Sequence, residues 1–349
     1  MSVTRVPATD GRQPATNQSW VLLDSASLYF RAFFGVPSSV TAPDGTQVNA
    51  VRGFLDMVGT VLSRYRPTHL VACWDEDWRP QWRVDLIPSY KAHRVQHMER
   101  QHTERQDAED QDAEGQSAAE DVPDALPAQV PVIAELLEAF GIARLGAPGC
   151  EADDVIGTLV ATLPAAARCD IVTGDRDLFQ LVEETRPVRV LYIGKGGVRD
   201  PDIVDAAWLR RRYGIEGGDA YADLAVLRGD PSDGLPGVGG IGEKTAATLV
   251  SRFGSLEAIL RAADARQNGV TVLQRTKLAQ AADYLRVAPT VVRVLRDADL
   301  PRVDATVPAR PAHPRVVEEL AVRWGVTGSV RRVTEALADA AAGPARPAP

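Results

Sequence analysis

Short apolar runs that alternate with helical patterns are the feature that most restricts the fold of this chain. Four runs have the length and the Val, Ile and Leu content of buried strands, at residues 20–23, 69–74, 170–173 and 188–193. Between them, helical patterns cover residues 50–65, 130–140 and 153–163. Because strands that alternate with helices pack as a layered structure, the sequence predicts an α/β domain with a mostly parallel sheet flanked by helices.

The pattern changes after about residue 202, where strand-like runs stop. Helical patterns then cover residues 203–213, 220–227, 244–253, 256–262 and 275–287. Just before this change, the glycine-rich turn 194–197 predicts that residues 198–199 fold back as a hairpin. We therefore expect an α/β domain over 19–201 and an all-helical domain over 202–305. A C-terminal extension, 306–349, follows, and the N-terminus, 1–18, and the Ala- and Pro-rich tail, 338–349, are expected to be flexible.

An acidic segment accounts for the net charge of the chain. Between Glu99 and Asp124, ten acidic residues accompany two basic ones, so this stretch carries the −8 that is also the formal charge of all 349 residues. The rest of the chain is neutral, with equal numbers of acidic and basic residues. The acidic balance therefore does not exclude a nucleic-acid partner. Because residues 97–124 are low in apolar content, we expect a disordered or mobile insert there.

Cysteine usage and hydropathy indicate the cellular compartment. Cys73, Cys150 and Cys169 are odd in number and scattered, which is typical of reduced thiols. The first nineteen residues are polar and lack the apolar stretch of a signal peptide. No apolar run approaches the length of a membrane span. These features predict a cytoplasmic protein without a membrane partner.

Acidic side chains follow three of the predicted strands. Asp24, Asp75 and Asp175 stand where these strands end. Because the carboxyl ends of parallel strands meet at one edge of a sheet, these carboxylates should lie close together. Further acidic residues stand near a helix start and in turns: Glu151, Asp153, Asp154, Asp177, Asp230 and Asp233.

Each of these carboxylates has a simpler explanation when it is taken alone. An Asp after a strand is often a helix N-cap, acidic residues favour a first helical turn, and Asp in a turn often bonds its own backbone. As a group, however, carboxylates at one edge repel each other unless cations intervene. Oxygen ligands without His or Cys suit Mg²⁺ or Mn²⁺, and a pair of such ions is used in phosphoryl displacement. The pattern predicts metal–phosphate chemistry with two divalent cations.

Several spaced motifs together resemble one protein family. They read LLDSASLYFRAFF (22–34), WDEDWRPQWR (74–83) with YKAHR (90–94), PGCEADDVIGTL (148–159), TGDRDLFQLV (173–182) and GDPSDGLPGVGGIGEKTAATLV (229–250). In this order they resemble the 5′-3′ exonuclease domain of bacterial DNA polymerase I, within the flap endonuclease superfamily. The resemblance implies a resolvase-like (PIN-like) α/β domain with a helical arch, followed by a helix-three-turn-helix domain.

The resemblance also implies metal-binding and catalytic roles, position by position. Ligands of a first metal would be Asp24, Asp75, Glu151 and Asp153. The second-metal and bridging set would be Asp154, Asp175, Asp177, Asp230 and Asp233. Lys91 and Arg94 match the basic pair at the base of the arch, where they would neutralise charge that develops at the scissile phosphate.

Further positions resemble the DNA contacts of the family. Phe30 stands where the family usually has a Tyr that stacks on a terminal base, and a Phe keeps the ring face. The hairpin 235–242 resembles one that grips duplex DNA through backbone groups and often holds K⁺. The expected DNA-contacting set is Phe30, Arg31, Arg83, Tyr90, Gly237, Gly239, Gly240, Gly242, Lys244 and Thr245.

The chain departs from the family pattern at a few positions. Ser25 replaces the usual Gly after the first Asp, Gly234 replaces a common Asn, and Gly239 stands where a Lys is frequent. The arch region is lengthened by the acidic segment, in a place where family members are often basic. These differences leave the substrate preference open. Every carboxylate of the family pattern is present in this sequence.

The expected function is that of a structure-selective 5′-3′ exonuclease or flap endonuclease. Its partner would be DNA with 5′ ends or flaps, with RNA primers left open as substrates, and the protein is expected to be a monomer. One alternative is a non-catalytic protein that binds flaps or junctions. Another is a small-molecule phosphohydrolase, but Ala26 stands where that class favours a second Asp.

Overall fold

Six strands form one sheet in the computed structural model, which describes residues 18–95 and 125–342. In chain order they are β1 (Ser19–Asp24), β2 (His69–Cys73), β3 (Ala143–Leu145), β4 (Arg168–Thr173), β5 (Val188–Gly196) and β6 (Asp200–Val204). Across the sheet the order is β3-β2-β1-β4-β5-β6, with all neighbours parallel except β5 and β6. The predicted α/β fold class with a mostly parallel sheet is confirmed.

Helices cover both faces of this sheet, as the continuous apolar character of the strands requires. In chain order they are α1 (Ser25–Gly35), α2 (Asn49–Tyr65), α3 (Gln81–Leu86), α4 (Ala125–Phe140) and α5 (Ala152–Thr162). Val21 and Leu23 of β1 pack with α2 and α4, whereas Leu22 points to the opposite face and packs with α5. The alternation of side chains along a strand therefore divides β1 between two cores.

The second half of the chain forms the predicted helical domain. Its helices are α6 (Ala206–Tyr213), α7 (Gly218–Arg228), α8 (Glu243–Phe253), α9 (Leu256–Asp264), α10 (Val272–Gln280) and α11 (Ala282–Val292). The prediction of a helix over 203–213 was wrong at its start, because residues 200–204 pair with β5 as an antiparallel strand. The predicted hairpin is therefore present and longer than expected. The short strand β3, with three residues, was not predicted.

The C-terminal extension contains two helices, and the second includes residues 338–341 of the tail that was expected to be flexible. Two helices, α12 (Pro314–Arg323) and α13 (Thr327–Ala341), fold back on the α/β domain. Val333 and Leu337 are fully buried in the core that α2 forms, and Arg332 bonds Asp56 of α2. Apolar residues at helical spacing explain this packing, since they give α13 one buried face.

Parts of the chain that the sequence analysis considered lie outside the described residues. These are the acidic segment 97–124, the N-terminal residues 1–17 and the last residues, 343–349. Among the helices of 18–95 and 125–342, none combines the length and the apolar character that a membrane crossing requires.

We predict that Leu337→Ala lowers the free energy of unfolding by about 2–5 kcal/mol, because it leaves a cavity between α13 and α2. A matched control is Val322→Ala on α12, where the side chain is 69% exposed and the change should stay within about 0.5 kcal/mol. Urea titrations followed by circular dichroism measure both. Equal effects of the two substitutions would contradict the packing of α13 on α2.

Candidate metal and nucleic-acid site

The candidate site lies where the strand order reverses, at the carboxyl ends of β1 and β4. Open parallel sheets commonly bind ligands at this switch point, because the chain leaves the two strands in opposite directions. The two strand ends are joined by hydrogen bonds. The Thr173 hydroxyl donates to Asp24 at 2.6 Å, and the backbone N–H groups of Ser27 and Asp175 donate to Asp24 and to Thr173. Asp24 is therefore both the N-cap of α1 and the centre of this edge.

Neighbouring backbone segments bring further predicted carboxylates to the same edge. Asp75 follows β2 and accepts the backbone N–H of Ala152 at 2.6 Å, which docks the start of α5 beside it. Asp175 accepts the N–H of Asp177, where a 3₁₀ turn, Asp177–Leu181, begins. A cavity of about 60 Å³ forms here, and its acidic lining residues are Glu151, Asp153, Asp175, Asp177 and Asp233.

The carboxylates meet along this acidic cleft without forming a closed cage. In residues 18–95 and 125–342, no three Asp, Glu, His or Cys side chains converge with the spacing of a metal site. Two physical causes explain this spacing: like charges repel, and several of the carboxylates bind Lys or Arg side chains. That the nine carboxylates hold metal ions stays a prediction.

Burial and mutual repulsion disfavour the ionised forms of carboxylates in the cleft. Burial raises the pKa of Asp24 to about 7, the Thr173 hydrogen bond opposes this rise, and the charge of Asp75 adds to it. Burial also raises the pKa of Asp153 well above its ordinary value, and the charges of Asp24 and Asp175 raise it further. Because ionised forms are disfavoured here, a bound cation would stabilise the cleft.

The predicted basic pair lies at the rim of the cleft. Lys91 forms an ion pair with Glu151 and donates to the Trp78 carbonyl at 3.2 Å. Its backbone has a φ of 49° and its N–H donates to the Asp233 carbonyl at 3.0 Å. Arg94 is 2.7 Å from the Asp233 carboxylate and is partly exposed. Both cations therefore pair with carboxylates that line the acidic cleft.

Three predicted residues lie in the interior instead. Arg83 and Tyr90 are 2% and 5% exposed, and both donate to Glu151. Both side chains also line the small cavity of the cleft, and their expected contact with DNA stays a prediction. Asp154 is fully buried and accepts two hydrogen bonds from Arg83.

Helix α1 carries the aromatic stretch that was expected to face DNA. Phe30 is half-buried beside Tyr29, with ring centroids 5.4 Å apart, and Phe34 is 60% exposed. Arg31 donates to the Gly194 carbonyl at 3.2 Å, so its guanidinium joins α1 to the end of β5. Stacking by Phe30 and phosphate contact by Arg31 stay predictions.

Arg228 belongs to this site and was not singled out from the sequence. Its guanidinium lies 3.9 Å from Asp177 and from Asp230, and 3.8 Å from Glu243. It therefore joins the acidic cleft to the start of α8. Its position directly before the acidic turn 229–233 was the available signal, because a cation beside several carboxylates reduces their repulsion.

The glycine-rich hairpin lies between α7 and α8 and presents backbone at the surface. Gly237 has a φ of 62°, and a Cβ there would lie 2.5 Å from the Arg228 carbonyl, so the tight turn requires glycine. Gly239, Gly240 and Gly242 are exposed, and Gly242 is the N-cap of α8. Within α8, Lys244 is exposed and Thr245 is half-buried.

A groove beside this hairpin runs between α6 and α8. Its volume is about 630 Å³, and basic and hydroxyl side chains line it, among them Arg212, Lys244, Thr248, Ser251 and Arg252. Lys244, Thr248 and Ser251 follow each other at helical spacing on one face of α8. The groove thus continues the surface that begins at the N-terminus of α8.

The fold and the acidic edge together define a resolvase-like nuclease domain joined to a helical domain. A family model described as the 5′-3′ exonuclease N-terminal resolvase-like domain matches residues 19–214. A second, described as the 5′-3′ exonuclease C-terminal SAM fold, matches residues 217–314. The chain belongs to the 5′-3′ exonuclease family, which confirms the resemblance found in the sequence.

Relatives of known name agree with this family. A 5′-3′ exonuclease of Streptomyces coelicolor is 56% identical over 91% of this chain and 99% of its own length. A 5′-3′ exonuclease of Mycobacterium tuberculosis is 52% identical over 91% of this chain and 97% of its own length. DNA polymerase I of Mycobacterium bovis is 34% identical over 89% of this chain, which corresponds to 30% of that polymerase.

Solved structures share the fold at low sequence identity. The bacteriophage T5 flap endonuclease, in a complex with DNA and metal ions, has a TM-score of 0.57 and 15% identity, covering 93% of this chain and 100% of its own. Human GEN1 in complex with Holliday junction DNA has a TM-score of 0.57 and 16% identity. The match covers 92% of this chain and 73% of the GEN1 chain. These likenesses confirm the predicted two-domain fold.

We predict that the metal-free protein loses stability as pH rises. The folded-state pKa of Asp24, about 7, lies above its unfolded value, so the folded chain binds more protons and stability falls between the two values. In EDTA, the free energy of unfolding should fall by about 2 kcal/mol between about pH 5.5 and about pH 7. Denaturant titrations at each pH measure this slope.

Two variants serve as controls for the pH dependence. Asp24→Asn should make the profile shallower without flattening it, because burial also raises the pKa of Asp153. Asp85→Asn, at an exposed carboxylate outside the cleft, should leave the profile unchanged. A wild-type profile that is already flat would contradict the uncompensated charge at Asp24.

Proposed function

We propose that this chain is a structure-selective 5′-3′ exonuclease and flap endonuclease that hydrolyses DNA phosphodiesters with two divalent cations, Mg²⁺ or Mn²⁺. The observation that carries the proposal is the acidic cleft at the switch point of the sheet, in a member of the 5′-3′ exonuclease family. The T5 relative of similar fold is named a flap endonuclease and was solved with DNA and metal ions.

The residues of the cleft fit divalent cations. The donors are carboxylate oxygens, which hard cations prefer, and burial disfavours their charge unless a cation is present. In the proposal, the first ion is held by Asp24, Asp75, Glu151 and Asp153. The second is held by Asp175, Asp177, Asp230 and Asp233. When bound, such a pair of cations polarises the scissile phosphate and stabilises the charge that builds on its oxygens.

The chain's own side chains would bind and orient the substrate. Lys91 and Arg94 would exchange their carboxylate partners for the phosphate and neutralise its charge in the transition state. Phe30 would stack on the terminal base at the 5′ end. With the substrate placed between these groups, cleavage depends on where the 5′ end lies. The enzyme would therefore select DNA by the structure of its 5′ end.

The hairpin and the groove beside it would hold the duplex. Backbone N–H groups at the start of α8 bind phosphate, and Arg212, Lys244 and Arg252 add charge along the groove. Contacts of this kind reach the backbone and do not read bases, so we expect structural selectivity without sequence selectivity. A K⁺ ion at the hairpin, a monomeric state and a cytoplasmic location complete the proposal, and the three buried free thiols support the last.

We predict that the wild-type protein cleaves a labelled 5′-flap duplex when Mn²⁺ or Mg²⁺ is added. Asp175→Ala should lower the cleavage rate at least about 100-fold, because it removes a carboxylate from the cation pair. Asp85→Ala, outside the cleft, is the charge-matched control and should cleave at the wild-type rate. Gel analysis of labelled products measures both.

The outcome of this assay separates the candidate functions. An intact flap across a range of cation concentrations, with tight flap binding, would instead establish the non-catalytic flap- or junction-binding alternative. Turnover of a simple phosphate monoester without flap cleavage would favour a small-molecule phosphohydrolase.

We also predict that Arg212→Ala and Arg252→Ala each weaken duplex binding and lower its dependence on salt. Each substitution should reduce the slope of log affinity against log salt by about one, because one phosphate contact is lost. Arg331→Ala on α13, far along the chain from the groove, is the control and should change neither quantity. Fluorescence anisotropy in EDTA, at several salt concentrations, measures both quantities, and unchanged slopes would contradict a duplex path along α8.

A further inference from the structure

Arg83 lies in the interior, although its charge would favour the surface. It is 2% exposed and stacks on the Trp82 ring, with its guanidinium carbon 4.3 Å from the ring centroid. Its N–H groups donate to Glu151 at 2.9 Å and to the two oxygens of Asp154 at 2.6 and 2.7 Å. A further N–H donates to the Val291 carbonyl at 3.1 Å. Four hydrogen bonds therefore hold one side chain in a single orientation.

Asp154 directs its oxygens into the interior. Besides the two bonds from Arg83, it accepts the backbone N–H groups of Glu151 at 3.1 Å and Leu295 at 2.9 Å. Its side chain has no exposed surface. Asp153, its neighbour on α5, lines the acidic cleft instead. The two adjacent carboxylates thus have different surroundings: Asp154 is buried against the Arg83 guanidinium, whereas Asp153 faces other carboxylates.

The same contacts join the acidic cleft to the chain that leaves the helical domain. Residues 291–295 span the end of α11, and Gln180 of the 3₁₀ turn bonds Val292 and Val294 in this segment at 3.1 and 3.0 Å. Gly157 of α5 packs so closely that a Cβ there would lie 2.4 Å from the Leu295 carbonyl. The segment is therefore fixed on α5.

We propose that Arg83 and Asp154 are a positioning pair: Asp154 fixes Arg83, and Arg83 orients Glu151 towards the acidic cleft and ties it to the helical domain. In this arrangement Asp154 is not a cation ligand. This role rests on the proposed metal-dependent function. The acidic residues of the cleft then fall into two groups, those that bind the cations and those that hold the cation ligands in place.

The chemistry of the pair favours positioning over stabilisation. A buried ion pair contributes little net stability, because desolvation offsets much of the attraction, and an apolar pair of similar volume often serves as well. An apolar pair could not supply the third bond, from Arg83 to Glu151. A lysine could not supply it together with two parallel bonds to Asp154, because only the guanidinium is a planar fork.

Counting bound ions tests the division between the two neighbouring aspartates. Mn²⁺ titrations of the full chain, followed by electron paramagnetic resonance, give the number of ions bound. We expect Asp154→Asn to bind as many Mn²⁺ ions as the wild type and Asp153→Asn to bind one fewer. Loss of an ion from Asp154→Asn, in a variant that keeps its folded circular dichroism spectrum, would overturn the proposal.

Two Arg83 variants test the effect on Glu151. Arg83→Lys should raise the Mn²⁺ dissociation constant about 10-fold to 100-fold, the usual consequence of removing a group that orients a ligand. The double variant Arg83→Met/Asp154→Leu removes both charges and should still fold, with a lower melting temperature, because the Val291 carbonyl and the N–H groups of Glu151 and Leu295 lose their partners. It should still show the weaker Mn²⁺ binding. Wild-type Mn²⁺ affinity in the double variant would show that the pair is only structural.

These outcomes are distinct from a failure of the proposed function. If the wild type binds no Mn²⁺ and leaves the flap intact, the metal-dependent function itself is wrong. If the wild type binds Mn²⁺ and cleaves, and the double variant binds Mn²⁺ equally well, only the positioning role is wrong.

Discussion

The repulsion among carboxylates at one sheet edge is the constraint on which the rest of this structure depends. Three strand ends and a helix start bring Asp24, Asp75, Asp153 and Asp175 together, and burial makes their charges costly. The protein offsets part of this cost with basic side chains that reach the cleft from other segments, namely Arg83, Lys91, Arg94 and Arg228. The remaining negative charge is what makes the edge suited to divalent cations.

Those basic side chains also connect the two domains. Lys91 and Ser89 bond the turn at 233–234 through backbone and hydroxyl groups, and Gly234 leaves no room there for a Cβ, which would lie 1.9 Å from the Ser89 carbonyl. On the other side, Arg83 and Gln180 hold residues 291–295. Because the helical domain is attached at two places, its hairpin keeps a fixed position relative to the cleft.

Most of the fold followed from local patterns, and the exceptions have physical causes. Buried strands are continuous apolar runs, so β1, β2, β4 and β5 were predicted. The short β3 and the polar edge strand β6 lack such a run, and they form strands because they pair with a neighbouring strand. Helices α12 and α13 were not predicted, and the last residues of α13 were assigned to the flexible tail because they are rich in Ala; packing on α2 buries Val333 and Leu337.

The sequence by itself determined the family, the set of acidic residues and the strand ends that carry them, because strand and turn signals are local. It did not show that Asp154 and Arg83 are buried against each other while Asp153 and Lys91 line the cleft, since burial of a charged side chain leaves no local signal. Only the tertiary structure decided these. The first turn of α5 points Asp153 into the cleft and Asp154 into the interior, where α3 and the end of α11 place the partners that a buried carboxylate requires.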